Sequence, residues 1–174
     1  GYASSPVVLG EKVIFGAGKV IALNRSTGKQ VWISESTYNP GYATPIIFEN
    51  GSNPILASFD GKGFALFHAG TGEEIARHPF KTQYDMTATD PIVVGEGDQI
   101  FISAISQGEL LEFDGSKLSS VWSSKTMRNS MNVCTLIDGH LFGVDGKHKS
   151  NRSKLSCVRP VSYTHLRAHE TRYD

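Results

Sequence analysis

The sequence predicts an all-β fold built from repeated four-stranded antiparallel units, and three observations carry that prediction. Similar openings recur along the 174 residues at long, nearly regular intervals. Each opening leads into short runs rich in Val, Ile, Leu and Phe, broken by Gly, Asp, Asn and Ser turns. No window keeps the i, i+3, i+4, i+7 apolar spacing that an amphipathic helix requires.

The openings are Ser-Ser-Pro-Val-Val-Leu from Ser4, Ala-Thr-Pro-Ile-Ile-Phe from Ala43, Thr-Asp-Pro-Ile-Val-Val from Thr89, and a looser Asn-Val-Cys-Thr-Leu-Ile from Asn132. Pro6, Pro45, Pro91 and Cys134 are equivalent and step by 39, 46 and 43 residues. Proline fits near the start of a strand, where its missing N–H costs least. Second strands are expected at Lys12 to Phe15, Pro54 to Phe59, Gln99 to Ala104 and His140 to Val144. Third strands follow at Val20 to Asn24, Phe64 to His68 and Leu110 to Asp114. Fourth strands carry Trp32, Ala76 and Trp122 at one shared position, after Thr27-Gly28 in the first unit and Thr71-Gly72 in the second. A four-stranded unit with a period in the forties is the mark of a β-propeller blade. The expected fold is therefore a partial propeller of three complete blades, about 1–36, 43–80 and 89–126, plus an incomplete fourth at 132–158.

The stretch Ala22-Leu23-Asn24-x-x-Thr27-Gly28-Lys29-x-x-Trp32, preceded by Ser-Ser-Pro-Val-Val, resembles the repeat of the pyrroloquinoline-quinone-type (PQQ-like) β-propellers. This family includes quinoprotein alcohol dehydrogenases and the β-barrel assembly lipoprotein BamB. The resemblance implies that Trp32 and Trp122 dock each blade on its neighbour. It also implies that Asn24, His68 and Asp114 occupy the position that closes the turn between third and fourth strands. Propellers of this kind have about seven or eight blades, so the chain is expected to be a piece of a larger ring. Its free sheet faces should then make it aggregate or self-associate.

The repeat register breaks after Val158. Residues 159–174 show no Thr-Gly turn and no docking Trp, and Val161 to Thr171 resembles a recurrent translated adapter or vector read-through. That tail is expected to form no strand and to be dispensable for stability. It holds His165, His169 and Glu170, but the Glu follows the second His rather than the first, so no metal site is assigned there.

Composition narrows function by exclusion. Lys and Arg number 17 against 17 Asp and Glu, and 14 against 15 without the tail. Such a balance supplies no basic field for nucleic acid. No apolar run reaches the roughly 18 residues of a membrane-spanning helix, and no signal peptide is visible. The two cysteines, Cys134 and Cys157, are expected on different strands as buried small hydrophobes, with no disulfide. Asp-Gly pairs at Asp60, Asp114, Asp138 and Asp145 are expected as hairpin turns. The polar run from Asp145 to Lys154 is expected as a solvated loop.

Function is expected in the loops that enter each innermost strand, 38–42, 82–87 and 127–132. Tyr42, Tyr84, Asp85, Arg128, Asn129 and Asn132 are the candidates for contact with a small polar ligand or a protein partner. The function expected is a non-catalytic binding or scaffold domain, without cofactor. The family resemblance supplies an enzyme alternative, a quinoprotein alcohol or sugar dehydrogenase using PQQ and calcium, whose adjacent Cys-Cys pair has no counterpart here. It also implies a periplasmic or secreted location.

Overall fold

A computed structural model describes residues 4–39, 41–146, 153–161 and 164–166, the last three as backbone only. Among the described residues sixteen strands form four antiparallel four-stranded meanders, with each strand paired to its neighbours in sequence within its sheet. The first sheet holds β1 (Val7–Leu9), β2 (Lys12–Gly16), β3 (Val20–Asn24) and β4 (Gln30–Ile33). The second holds β5 (Ile46–Asn50), β6 (Asn53–Asp60), β7 (Gly63–His68) and β8 (Glu74–Pro79). The third holds β9 (Ile92–Val94), β10 (Gln99–Ser103), β11 (Gly108–Phe113) and β12 (Leu118–Ser124). The fourth holds β13 (Thr135–Ile137), β14 (His140–Asp145), β15 (Lys154–Arg159) and β16 (Thr164–Leu166). The sheets are blades, and the first strands β1 and β5, and likewise β9 and β13, touch where neighbouring blades converge.

The alternation of strand side chains decides how the blades stack. Ile14 and Ala22 of the first blade join Leu56, Ala65 and Phe67 of the second in one core. The opposite face of the second blade, with Ala57, Phe64 and Leu66, joins Ile100, Ile102 and Leu111 of the third. Phe101 and Leu110 of the third meet Leu141 and Val158 of the fourth. Both faces of the two central blades are thus covered, which explains the near-continuous apolar runs of β6, β7 and β10.

A bulge recurs in the outer hairpin of the first three blades. Val31, Ile75 and Val121 are skipped in the ladder, so that Trp32 pairs with Ala22, Ala76 with Leu66, and Trp122 with Leu110. This register differs from the one set by the turn, in which Asp114 accepts from the backbone N–H groups two and three residues on, as Asn24 does. Measured from the bulge, Glu112 and not Asp114 matches Asn24 and His68, because the third blade's outer hairpin has two more paired rows and a tighter turn.

The tail requires a correction. β15 runs to Arg159, and Thr164–Leu166 pair with it as β16, with Cys157 opposite Leu166 and Arg159 opposite Thr164. The broken sequence repeat hid this because backbone pairing needs no particular side chains. Three residues of this outer strand are among those described. His169, Glu170, Asn151 and most of the 145–154 loop lie outside the described residues, as does Pro40 in the first inter-blade loop.

Candidate functional site

In an antiparallel meander the links between blades and the hairpins joining second to third strands fall at the same end of the sheets. Here that end is laced together. Gly61 N–H donates to the Asn39 carbonyl at 3.0 Å, and Tyr42 N–H to the Thr87 carbonyl at 2.7 Å. Thr87 Oγ1 donates to the Phe59 carbonyl at 3.1 Å, and Ser103 Oγ to the Met127 carbonyl at 2.6 Å. Each link is thereby fixed to the ends of the buried strands beside it.

Ionisable side chains at this end tie blade to blade. His78 on β8 meets the buried Glu109 on β11 at 3.1 Å. Arg128 donates to both carboxylate oxygens of the buried Asp145, at 3.0 and 3.2 Å, while its own backbone N–H adds a third bond at 2.8 Å. The Asp145 carboxylate holds the Arg128 guanidinium above its ordinary pKa. Within the second blade the fully buried Asp60 accepts from Lys62 N–H at 2.7 Å and from Arg77 at 3.3 Å. Burial raises the Asp60 pKa, against the pull of Lys62 N–H and Arg77.

The six loop candidates divide sharply. Asn129 is fully buried, donating from its backbone to Ser103 Oγ at 2.9 Å and from its amide to the Val144 carbonyl at 3.3 Å. Its side-chain oxygen accepts from Cys134 Sγ at 2.9 Å. Arg128 is committed to Asp145, and Asn132 is half-buried. Tyr42 and Tyr84 instead face solvent, at 47% and 86% exposure, and Asp85 is exposed next to Tyr84 in the sequence. Tyr84 and Asp85 are both left-handed, with φ of 64° and 52°, inside a short 3-10 turn at Gln83–Asp85 that the sequence did not signal. A bulky residue in that region is strained by roughly 1–2 kcal/mol. Tyr84→Gly is therefore expected to stabilise the fold by about 1 kcal/mol in chemical denaturation, because glycine adopts this backbone freely.

Beside this turn lies an open groove of about 280 Å³, lined by Gln83, Ile105, Ser106, Lys125 and Arg128. Its polar groups are an amide, a hydroxyl and two cations. They can donate hydrogen bonds to a carboxylate or similar acceptor, and none of them is a carboxylate, imidazole or thiol suited to proton transfer near neutral pH. Lys125, Ser106 and Gln83 were not among the sequence candidates. They come together only because the β10–β11 hairpin and two inter-blade links converge.

The structural residues of the outer hairpins behave individually. Asn24 Oδ1 accepts from Ser26 N–H, Thr27 N–H and Thr27 Oγ1 at 2.9–3.1 Å. Asp114 accepts from Ser116 and Lys117, whose N–H bonds hold its carboxyl down to about 2. His68 closes its turn through main-chain bonds from Thr71 and Gly72. Trp32 is buried, and its ring covers Gly72 of the next blade so closely that a Cβ there would overlap it. Trp122 lies against Phe101, with ring centroids 5.8 Å apart, and its Nε1 donates to the Pro160 carbonyl at 2.7 Å. Pro160, assigned to the tail, thus takes a structural contact.

The quinoprotein donor set does not fit the residues described. Cys134 lies just before β13 and faces the third blade, whereas Cys157 on β15 shares the opposite sheet face with Phe142. Both thiols are free, and no three His, Cys, Asp or Glu side chains gather as metal ligands among the described residues. Burial pushes the Cys134 thiol up to about 12 from its ordinary 9.0. Its contribution is complete below pH 9 and is lost as pH rises toward 12, because the unfolded thiol ionises first. Thermal unfolding should accordingly fall more steeply between pH 9 and 11 for the native sequence than for Cys134→Ala.

Residues 2–124 match the family model of the outer membrane protein assembly factor BamB. The structure of BamB from Moraxella catarrhalis superimposes with a TM-score of 0.61 at 16% identity, over 94% of this chain and 48% of BamB. The computationally designed protein Ika8 gives 0.61 at 11% identity, over 94% and 47%. A second designed protein, Ika4, gives 0.54 at 12% identity, over 89% and 92%. No curated protein sequence matches. This chain therefore spans about half the length of BamB. No helix among the described residues is long and apolar enough to cross a membrane. With its recurrent bulge, its Trp32–Gly72 contact and a family match over most of its length, the chain belongs to the PQQ-like β-propeller family of BamB.

Proposed function

We propose that the chain is a non-catalytic binding and scaffold module, working at the loop-bearing end of a larger propeller on the outer-membrane side of a bacterial envelope. The observation that carries this reading is the use made of its polar groups. The buried ionisable side chains at that end are committed to ties within and between blades, while the open groove is lined by hydrogen-bond donors. The exposed Tyr42 and Tyr84 supply rigid aromatic surface of the kind that anchors protein interfaces. Lys125, Ser106 and Gln83 would receive an acidic or carbonyl group of the partner. Specificity would come from rigid placement, because the links are pinned to buried strands.

The test is catalytic as well as physical. Titration with pyrroloquinoline quinone and Ca²⁺, followed by dye-linked alcohol and sugar oxidation, should give no turnover above the blank. Turnover requiring both the quinone and calcium would overturn the proposal in favour of a dehydrogenase.

A further inference from the structure

The near-neutral balance of the chain conceals a separation of charge between the two ends of its sheets. Links between blades share one end with the hairpins that join second to third strands, and the remaining hairpins share the other. Among the described residues, the connections at the loop-bearing end hold five Lys and Arg against three Asp and Glu, whereas those at the opposite end hold three against six. Ion pairs sharpen the difference. At the opposite end Glu11 takes Arg25 and Asp114 takes Lys117, which leaves Glu73, Glu96, Asp98 and Asp138 with Lys29. At the loop-bearing end Arg128 is committed to Asp145, while the exposed Lys62, Lys81 and Lys125 enter no ion pair among the described residues.

The groove beside Gln83 is where this field meets a shaped surface. Gln83 and Ser106 are uncharged and the Arg128 guanidinium is held by both Asp145 oxygens, so Lys125 brings the lining its uncompensated charge, next to the apolar wall of Ile105. Ser106 Oγ donates to the Lys81 carbonyl at 3.2 Å and so fastens the groove's hairpin to the preceding link. All the lining residues belong to the third blade and the links on either side of it, and that blade is packed on both faces. A volume of about 280 Å³ lies below the roughly 300–1,000 Å³ of sites that enclose a whole small ligand, and suits a single side chain.

We propose, building on the reading of this end as a binding surface, that the groove receives the carboxylate of a Glu or Asp side chain in an acidic segment of a protein partner. Lys125 bonds the carboxylate, Ile105 covers its methylene stem, and Lys62 and Lys81 attract the acidic residues that flank it. The acidic opposite end repels the same segment, which sets the side from which the partner docks. A continuous anionic membrane fits less well. Glu35 and Asp85 stand exposed among the lysines, and a plane of negative charge meets them where a flexible polypeptide passes them by.

The test uses the full chain at low ionic strength, with circular dichroism to confirm folding. Its probes are a fluorescent peptide of alternating Glu and Ala, the Gln counterpart of that peptide, and phosphatidylglycerol vesicles assayed by co-sedimentation. The Glu peptide should bind about tenfold more tightly than the Gln peptide, the effect of one hydrogen bond to a charged group. Lys125→Glu should weaken the Glu peptide by about tenfold or more, whereas Lys125→Arg should keep it within about threefold of native. Lys29→Glu makes the same change in net charge at an exposed position of the opposite end and should weaken it by less than about twofold. Both lysines are exposed, so the changes spare the cores. Equal losses at Lys29 and Lys125 would reduce the attraction to net charge and overturn the proposal. So would a Glu peptide that binds no better than the Gln peptide, binding indifferent to Lys125→Glu, or vesicle binding that depends on Lys125 more steeply than peptide binding does. Turnover with the quinone and calcium judges the scaffold reading separately, so either can fail without the other.

Discussion

Trp32→Ala is expected to lower the free energy of unfolding by about 3–5 kcal/mol, the range for deleting a buried Trp side chain. Trp32 seals the contact between the first and second blades by lying over Gly72, which has a φ of 79° and no Cβ to obstruct the ring. Its Nε1 has no hydrogen-bond partner among the described residues, so the stabilisation comes from packing and apolar burial. Trp32→Phe should therefore cost clearly less than Trp32→Ala. Gly72→Ala should cost about 2–4 kcal/mol, because left-handed strain and overpacking against the indole add. In the Trp32→Ala background the overpacking part disappears, so the two changes should combine to less than their sum in urea denaturation. Strict additivity would show that Trp32 does not rest on Gly72.

The second large effect is expected at Arg128. Arg128→Met leaves the Asp145 carboxylate buried with the Arg128 backbone N–H but without its guanidinium fork. Breaking a buried pair from one side typically costs about 3–5 kcal/mol. Because the Arg128 side chain keeps partial solvent contact, about 3 kcal/mol is expected here. Hydrogen exchange should localise the loss to β14 and β15. Arg128→Met with Asp145→Leu should recover much of it, since replacing both partners removes the uncompensated charge. An Arg128→Met protein as stable as the native one would return Arg128 to the set of free ligand contacts.

These outcomes bear on how much the sequence could disclose. Strand positions were legible because each carries its own apolar run and turn, so the expected second strands agree with β2, β6, β10 and β14 to within one residue at each end. The link residues were not legible in the same way. Tyr, Asn, Asp and Arg in a loop read alike whether they face a ligand or fasten the loop. Only the fold shows that Asn129 is buried under Ser103 and Cys134 while Tyr84 stands in solvent. Lys125 and Gln83 are 42 positions apart in the sequence and share no motif, so their groove has no local signal. β16 was missed for a third reason. Strand pairing is written in the main chain, and the fourth blade lacks the Thr-Gly turn and Trp by which the first blade is recognisable in the sequence.

The contact between the second and third blades has a wider consequence. Where the first blade offers Trp32 to Gly72, the second offers the small Ala76, and the larger Leu118 of β12 packs against the same core. Bulk has changed sides while the seam stays filled. The blades therefore carry an order code in their side-chain sizes. Exchanging the second blade with the first would set an indole against Leu118 at one junction and leave Ala76 facing a glycine at another. A chain whose backbone repeats four times is in this sense not modular, and shuffled versions should assemble poorly although every blade in them is native.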